Sequence, residues 1–331
     1  MKKNIIIIAS VIIVLIATSC KENNSKIDIY GLAQGTYYNI SYYDENNKNL
    51  NKEIDSILKD FDMSLSTYKE NSIISKFNDS DSGCYVNDLI INVFNKSVEI
   101  SEKTNGAFDC TIAPIVNLWG FGKDTTIVID SNLIKEKLKY VNYKNITLKG
   151  KFLYKPDKNI RLDFNAIAQG YSVDIISKFL ESKNIMNYIV DIGGEVYAKG
   201  VKKNNEKWTV GIENPNGGNN LISVVTLENR SIATSGNYRK YRIVNGKKFA
   251  HTISPKTGMP VQHSLLSASV FAKDAITADA YATAFMVLGF EESLKIIEKN
   301  KEIDVFFIYA DSLNSTQIYY TDWVKNCLVN K

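Results

Sequence analysis

Residues Asp274 to Leu288 constrain this chain most, because they predict a helix built from small apolar residues. Ala275, Ala278, Ala280, Ala282 and Ala284 recur through it, a composition suited to close packing inside a fold. Asp279 therefore falls where burial is expected. Asp279 and Thr283 are i,i+4 neighbours, so a carboxylate and a hydroxyl project from one helical face. Both are hard oxygen donors of the kind that hold Mg²⁺ beside substrate phosphates. A solvated helix face, or a threonine bonding back to its own turn, also accounts for the pair.

Around this helix the pattern mixes strands and helices. Gly35 to Tyr43 alternates and is rich in β-branched and aromatic residues, which predicts a strand. Ile54, Ile57, Leu58 and Phe61 stand at helical spacing within Asn51 to Phe61. Asn87 is the expected N-cap of a helix carrying Ile90, Phe94 and Val98, ending near Gly106. Ala168 to Lys183 predicts a helix and Tyr188 to Ile192 a strand. Short strands follow at Trp208 to Glu213, Leu221 to Leu227, Tyr241 to Val244 and Leu265 to Phe271. Glu291 to Lys299 predicts a helix, before strands Asp304 to Tyr309 and Gln317 to Tyr320. Without regular βαβ alternation the class is α+β. No GxGxxG opens a helix and no P-loop signature is present.

Residues 1–19 predict a lipoprotein signal peptide. Lys2 and Lys3 open it, Ile5 to Ile16 is almost unbroken apolar sequence, and Ala17, Thr18 and Ser19 lead into Cys20. The run is short for a membrane span, which takes roughly 20 apolar residues. The small residues before Cys20 resemble a bacterial lipobox, so Cys20 is the expected site of acylation, palmitate included. Residues 20–29 then predict a polar tether and 30–331 the folded domain. The protein is expected outside the cytoplasm, anchored by lipid to the periplasmic face of the cell membrane. Cys84, Cys110 and Cys327 make neither a disulfide framework nor a CxxC zinc site. The formal charge of +4 loses two with Lys2 and Lys3, and a near-neutral chain lacks the electrostatic footprint of a nucleic-acid binder.

Four more segments carry candidate binding chemistry. Leu162 to Tyr171 predicts a strand entering a helix, which sets Asp163 beside a helix N-terminus suited to phosphate; an N-cap or turn role also fits it. Asn105 to Gly122 interleaves Gly, Asn and aromatic residues, fitting a flat ligand's pocket or a packed loop. Gly193 and Gly194 follow a strand and could admit a ligand. His251, one of only 2 histidines, precedes the turn Pro255 to Gly258; it can be an acid/base, a phosphate donor or a core residue. His263 is expected to be structural or exposed. No GxSxG motif supports acyl-transfer hydrolysis.

Eight segments in one order carry a resemblance: Ala33 to Thr36, Leu65 to Tyr68, Gly106 to Asp109 with Asn117 to Gly122, Leu162 to Gly170, Asp191 to Glu195, Ala233 to Gly236, His251 to Gly258, and Asp274 to Thr283. Together they resemble the FAD:protein FMN transferase family, the ApbE-type lipoproteins. The resemblance implies one ApbE-like domain, with mixed sheets and packed helices in two closely associated lobes. It implies Mg²⁺-dependent transfer of the FMN moiety of FAD to a Ser or Thr hydroxyl of an exported acceptor flavoprotein, with release of AMP. On that mapping Asp279, Thr283 and the Ala166 carbonyl hold Mg²⁺. Gln34, Tyr68, Ala107, Phe108, Asp109, Asp163, Gly193, Gly194 and Ile253 bind FAD, and His251 is the candidate base or phosphate donor. A Mg²⁺-dependent FAD pyrophosphatase or a non-catalytic flavin-binding lipoprotein shares these motifs. Gln34, Cys110, Asn165, Gln169 and Ser254 depart from the family's commonest residues, and Gln169 replaces a usual lysine.

Overall fold

The computed structural model describes residues 25–122, 129–215, 220–237, 241–244 and 247–329; the predicted signal peptide, Cys20 and Tyr238 lie outside them. Its strands are β1 (Ser25–Ala33), β2 (Thr36–Asp44), β3 (Gly83–Tyr85), β4 (Thr147–Lys149), β5 (Phe152–Tyr154), β6 (Tyr188–Ile192), β7 (Glu195–Lys199), β8 (Trp208–Glu213), β9 (Leu221–Leu227), β10 (Arg230–Gly236), β11 (Tyr241–Val244), β12 (Lys247–Ala250), β13 (Leu265–Ala272), β14 (Asp304–Ala310) and β15 (Thr316–Tyr320). Its helices are α1 (Asn51–Leu65), α2 (Ile73–Asp79), α3 (Asp88–Lys103), α4 (Ala113–Leu118), α5 (Ser131–Leu138), α6 (Ala168–Ser182), α7 (Ala275–Leu288), α8 (Phe290–Lys299) and α9 (Asp322–Cys327).

Eight strands form one antiparallel sheet in the order β1-β2-β6-β7-β10-β13-β14-β15. Alternation along its strands builds two cores. Ala233, Val270, Val305 and Phe307 face the helices, in a cluster with Ile276, Phe285 and Ile167. Ile232, Phe271, Phe306 and Ile308 face the other way, against Trp208, Val225, Leu227 and Val324. The antiparallel ribbon β8–β9 covers that second face. A smaller body stands beside the helices: Ile115, Trp119, Ile134 and Ile253 share a core of their own. Trp119 ties it together by donating from its indole Nε1 to the Gly258 carbonyl at 2.8 Å.

Helix α7 is the centre of this arrangement, and the small residues that predict close packing are buried in it. Asp274 caps it, accepting from the Thr277 N–H at 3.0 Å. At its far end the His263 Nε2 meets the Met286 carbonyl at 2.8 Å, so His263 has the structural role expected for it. Helix α3 begins where Asn87 accepts from the Ile90 N–H and ends before Gly106, whose N–H returns to the Ser101 carbonyl at 2.7 Å. Cys84, Cys110 and Cys327 are free thiols. Among the described residues no helix is long and apolar enough to cross a membrane.

Three expectations need correction. The polar tether does not reach residue 29, because Ser25 to Ala33 pair with β2 and Ile29 is buried; the edge of β2 takes up those backbone groups. The stretch entering α6 is not a strand. The Asn78 side chain instead binds the Leu162 N–H at 2.7 Å and its carbonyl at 2.9 Å, standing in for a neighbouring strand. Part of Asn105 to Gly122, expected as loop, forms α4, with Pro114 in its first turn.

Candidate active site

The site gathers where the N-terminal turn of α6 crosses α7. Gly170 allows the crossing: a Cβ there would stand 2.2 Å from the Ala275 carbonyl oxygen and 2.7 Å from the Asp279 Cβ. At that contact the Gly170 N–H donates to the Asp279 carboxylate at 2.9 Å. Outside the helices and strands no backbone N–H closes on the Ala166 carbonyl among the described residues. Asp279 is nearly enclosed, and Gly170 is its one hydrogen-bond donor among the described residues. Burial pushes its carboxyl up to about 7, with the Gly170 N–H pulling the other way. One turn along, the Thr283 hydroxyl lies 3.3 Å from that of Ser235 on β10.

Strand β10 links this point to the histidine turn. Just beyond it, Asn237 accepts from the Thr252 hydroxyl at 2.6 Å, next to His251. The His251 ring stands edge-on to Phe121, with centroids 6.3 Å apart. Ile253 is buried among Ile115, Trp119 and Ile134 and bridges to Pro260. Its side chain shapes the turn that presents His251.

On the other side of α6, Gly193 has φ +69°, and a Cβ there would stand 2.4 Å from the Gln169 Nε2 and 2.9 Å from the Thr36 Cγ2. Glycine alone suits both the conformation and the space. Gly194 follows at φ +106°, its N–H donating to Asp191 at 3.0 Å. The β1–β2 turn closes the same corner with Gln34 at φ +55° and Gly35 at φ +73°, a pair of left-handed residues that matches a tight hairpin. The Gln34 Nε2 is buried with no hydrogen-bond partner among the described residues. An orphaned donor of that kind is what a polar flavin atom would satisfy.

Asp163 is half-buried. Its N–H donates to the Cys110 carbonyl at 2.7 Å, and its carboxylate accepts from the Asn165 N–H at 2.7 Å. Burial raises its carboxyl, against that amide. Exposed Tyr68 lies within reach of its field: desolvation, then the Asp163 charge, raises the phenol. Asp109 is buried. Its carboxylate is spent on the Thr111 N–H at 2.8 Å, the Thr111 hydroxyl at 2.6 Å and the Tyr143 N–H at 3.1 Å. Ala107 and Phe108 are buried, Phe108 within the main core. These three side chains face inward and build the loop whose Cys110 carbonyl orients Asp163. A Gly-Ala-Phe-Asp run signals a ligand loop and a packed turn alike, so the sequence does not separate them.

A metal at the seam has a testable fit. Among the described residues no group of three or more His, Cys, Asp or Glu side chains could grip an ion alone. Asp279, Thr283 and the Ala166 carbonyl offer hard oxygens with a single carboxylate. That donor set suits Mg²⁺, which keeps waters and takes its remaining oxygens from a substrate phosphate.

The ApbE family model matches residues 34–307. The chain belongs to the ApbE family. An FAD:protein FMN transferase of Haemophilus influenzae is 35% identical over 94% of this chain and 95% of its own length. Its counterpart in Vibrio cholerae is 32% identical over 87% and 89%. Among solved structures, the flavin transferase ApbE from Vibrio cholerae superposes with a TM-score of 0.84 at 30% identity, covering 92% of this chain and 100% of that one. The ApbE protein of Thermotoga maritima gives 0.83 at 26% identity, with 92% and 100% covered. Sequence-level expectation passed over Asp174 as a site-builder; a Gly and an Asp four apart at the start of one helix were the available signal.

Proposed function

We propose that this ApbE-family chain is a transferase that moves the FMN moiety of FAD onto a Ser or Thr hydroxyl of an exported flavoprotein and releases AMP. One observation carries the reading: a nearly enclosed carboxylate, Asp279, with a single N–H for company, beside Thr283 and the open Ala166 carbonyl. A buried anion left so poorly compensated is costly unless a cation completes it. Mg²⁺ held there supplies neutralisation of the diphosphate's charge.

The chain's own residues do the rest. Gly193, Gly194, Gln34, Tyr68 and Asp163 line the corner that receives the dinucleotide and fix which phosphorus faces the acceptor. The acceptor oxygen forms its bond to the FMN-side phosphorus as the bond to the bridging oxygen breaks, and that oxygen leaves with AMP. His251 takes the hydroxyl proton, its ring braced by Phe121.

Incubating the full chain with FAD, Mg²⁺ and a candidate acceptor is expected to give an FMN-sized mass gain on the acceptor, stoichiometric with AMP. Asp279→Ala removes the adduct. Free FMN without adduct assigns hydrolysis and overturns transfer. His251→Ala is expected to slow transfer by about 10²–10⁴-fold; an unchanged rate takes His251 out of the chemistry.

The same proposal places the chain on the periplasmic face of the cell membrane through acylated Cys20, supported by the basic start, the apolar run and the small residues before it. A clickable fatty acid should label the chain, and Cys20→Ser should lose both the label and membrane retention.

A further inference from the structure

Helices α6 and α7 exchange carboxylates. Gly170 on α6 donates its N–H to Asp279 on α7. In return Asp174 on α6 accepts from two α7 amides, Ala275 N–H at 2.8 Å on one oxygen and Ile276 N–H at 2.9 Å on the other. Gly170 and Asp174 are i,i+4 neighbours, so both halves of the exchange lie on one face of α6. Asp274 already takes the Thr277 N–H, and the first-turn amides of α7 are thus shared between its own cap and a carboxylate from another helix. A two-point grip on consecutive amides fixes rotation and translation of α7 about its axis, where one hydrogen bond would fix neither.

We propose that Asp174 is a positioning residue of the metal site, holding α7 in the one register that brings Asp279 and Thr283 to the ion. The inference rests on the reading that these residues hold Mg²⁺. Asp174 itself touches neither ion nor substrate. Its effect is that of an outer carboxylate that orients a ligand, worth about 10–100-fold in metal affinity. Asp174→Asn keeps the shape but offers one acceptor oxygen and turns an NH₂ toward an N–H.

The test titrates MgCl₂ into the full chain by calorimetry and follows amide hydrogen exchange along α7. For folded Asp174→Asn the expected result is Mg²⁺ affinity weaker by about tenfold or more. The Mg²⁺ concentration giving half-maximal transfer should rise by the same factor, with kcat at saturating Mg²⁺ changed less than about threefold. Ile176→Val, on the same helix with the grip intact, should leave Mg²⁺ affinity unchanged. Equal affinity in wild type and Asp174→Asn overturns the inference while leaving the metal reading in place. If wild type binds no Mg²⁺, the metal reading falls and this inference falls with it. Should Asp174→Asn not fold, wild type alone decides. Mg²⁺ is expected to slow exchange of the Ala275 and Ile276 amides, and unaltered exchange at saturating Mg²⁺ overturns the proposal.

Discussion

Two of the ionisable side chains that the fold buries are treated in opposite ways. The Lys155 ammonium is fully enclosed and donates to the carbonyls of Asn78 at 3.0 Å, Lys158 at 3.2 Å and Ile160 at 3.0 Å, over the Phe77 ring at 5.0 Å. Every proton of that ammonium has an acceptor. Asp279 is enclosed to a similar degree but has one N–H donor among the described residues. Burial pulls the first down to about 8 and pushes the second up to about 7. A charge whose partners are complete is a staple. One whose partners are incomplete is where the proposed metal reading rests.

The largest effect should come from breaking the incomplete side. Asp279→Asn is expected to cut transfer by about 10³-fold or more, measured by adduct formation, while the variant stays folded. A variant that still transfers at the wild-type rate erases the distinction between the two charges. Lys155→Met, on the complete side, should cost about 3 kcal/mol of unfolding free energy in urea by leaving three carbonyls unpaired. Its transfer rate at saturating FAD should stay within about twofold of wild type. A collapse of transfer without loss of stability would make Lys155 functional after all.

The pH dependence sharpens the contrast next. The folded Asp279 carboxyl is raised from 3.8 to about 7, so between those values the folded state holds a proton that the unfolded state has lost. Its contribution is present below about pH 4 and disappears as pH rises through about 7. Without metal, Asp279→Asn should therefore gain on wild type across that window, the gain growing as pH rises and levelling off above about pH 7, and Mg²⁺ should close the gap. A gap that is flat with pH contradicts the assignment. Lys155, lowered from 10.5 to about 8, predicts the mirror image: native stability lost as pH falls from 10.5 through about 8. The smallest change is Gly170→Ala. Its Cβ meets the Ala275 carbonyl oxygen at 2.2 Å and should cost about 1–2 kcal/mol, with wider separation of α6 and α7.

How far the sequence could be followed depended on whether a feature was local. Helix α7, the Asn87 cap and strands β8, β9, β11, β13, β14 and β15 were legible because periodicity and capping are written in neighbouring residues; β10 and β12 were passed over. That Asp279 and Thr283 share one face of α7 was legible for the same reason, the two being one turn apart. The inward turn of Asp109 was not, because its partner Tyr143 lies 34 residues away. The Asn78 clamp on Leu162 spans 84 residues, and the Asp174 grip on α7 spans 101. Side-chain hydrogen bonds over such separations leave no mark on periodicity. Residues 25–29 were misjudged because Lys26 and Asp28 mimic a solvated leash, while Ile27 and Ile29 supply the alternation of an edge strand.

If Cys20 is acylated as proposed, only a handful of residues separate it from Ser25, the first described residue of β1. At roughly 3.3–3.6 Å per residue fully extended, that leash reaches less than about 20 Å. The catalyst would then graze the bilayer at nearly fixed altitude, sweeping a thin layer of the periplasm. Under that proposed anchoring, acceptor hydroxyls carried at the same height would meet it at high effective concentration, whereas freely diffusing ones would meet it rarely.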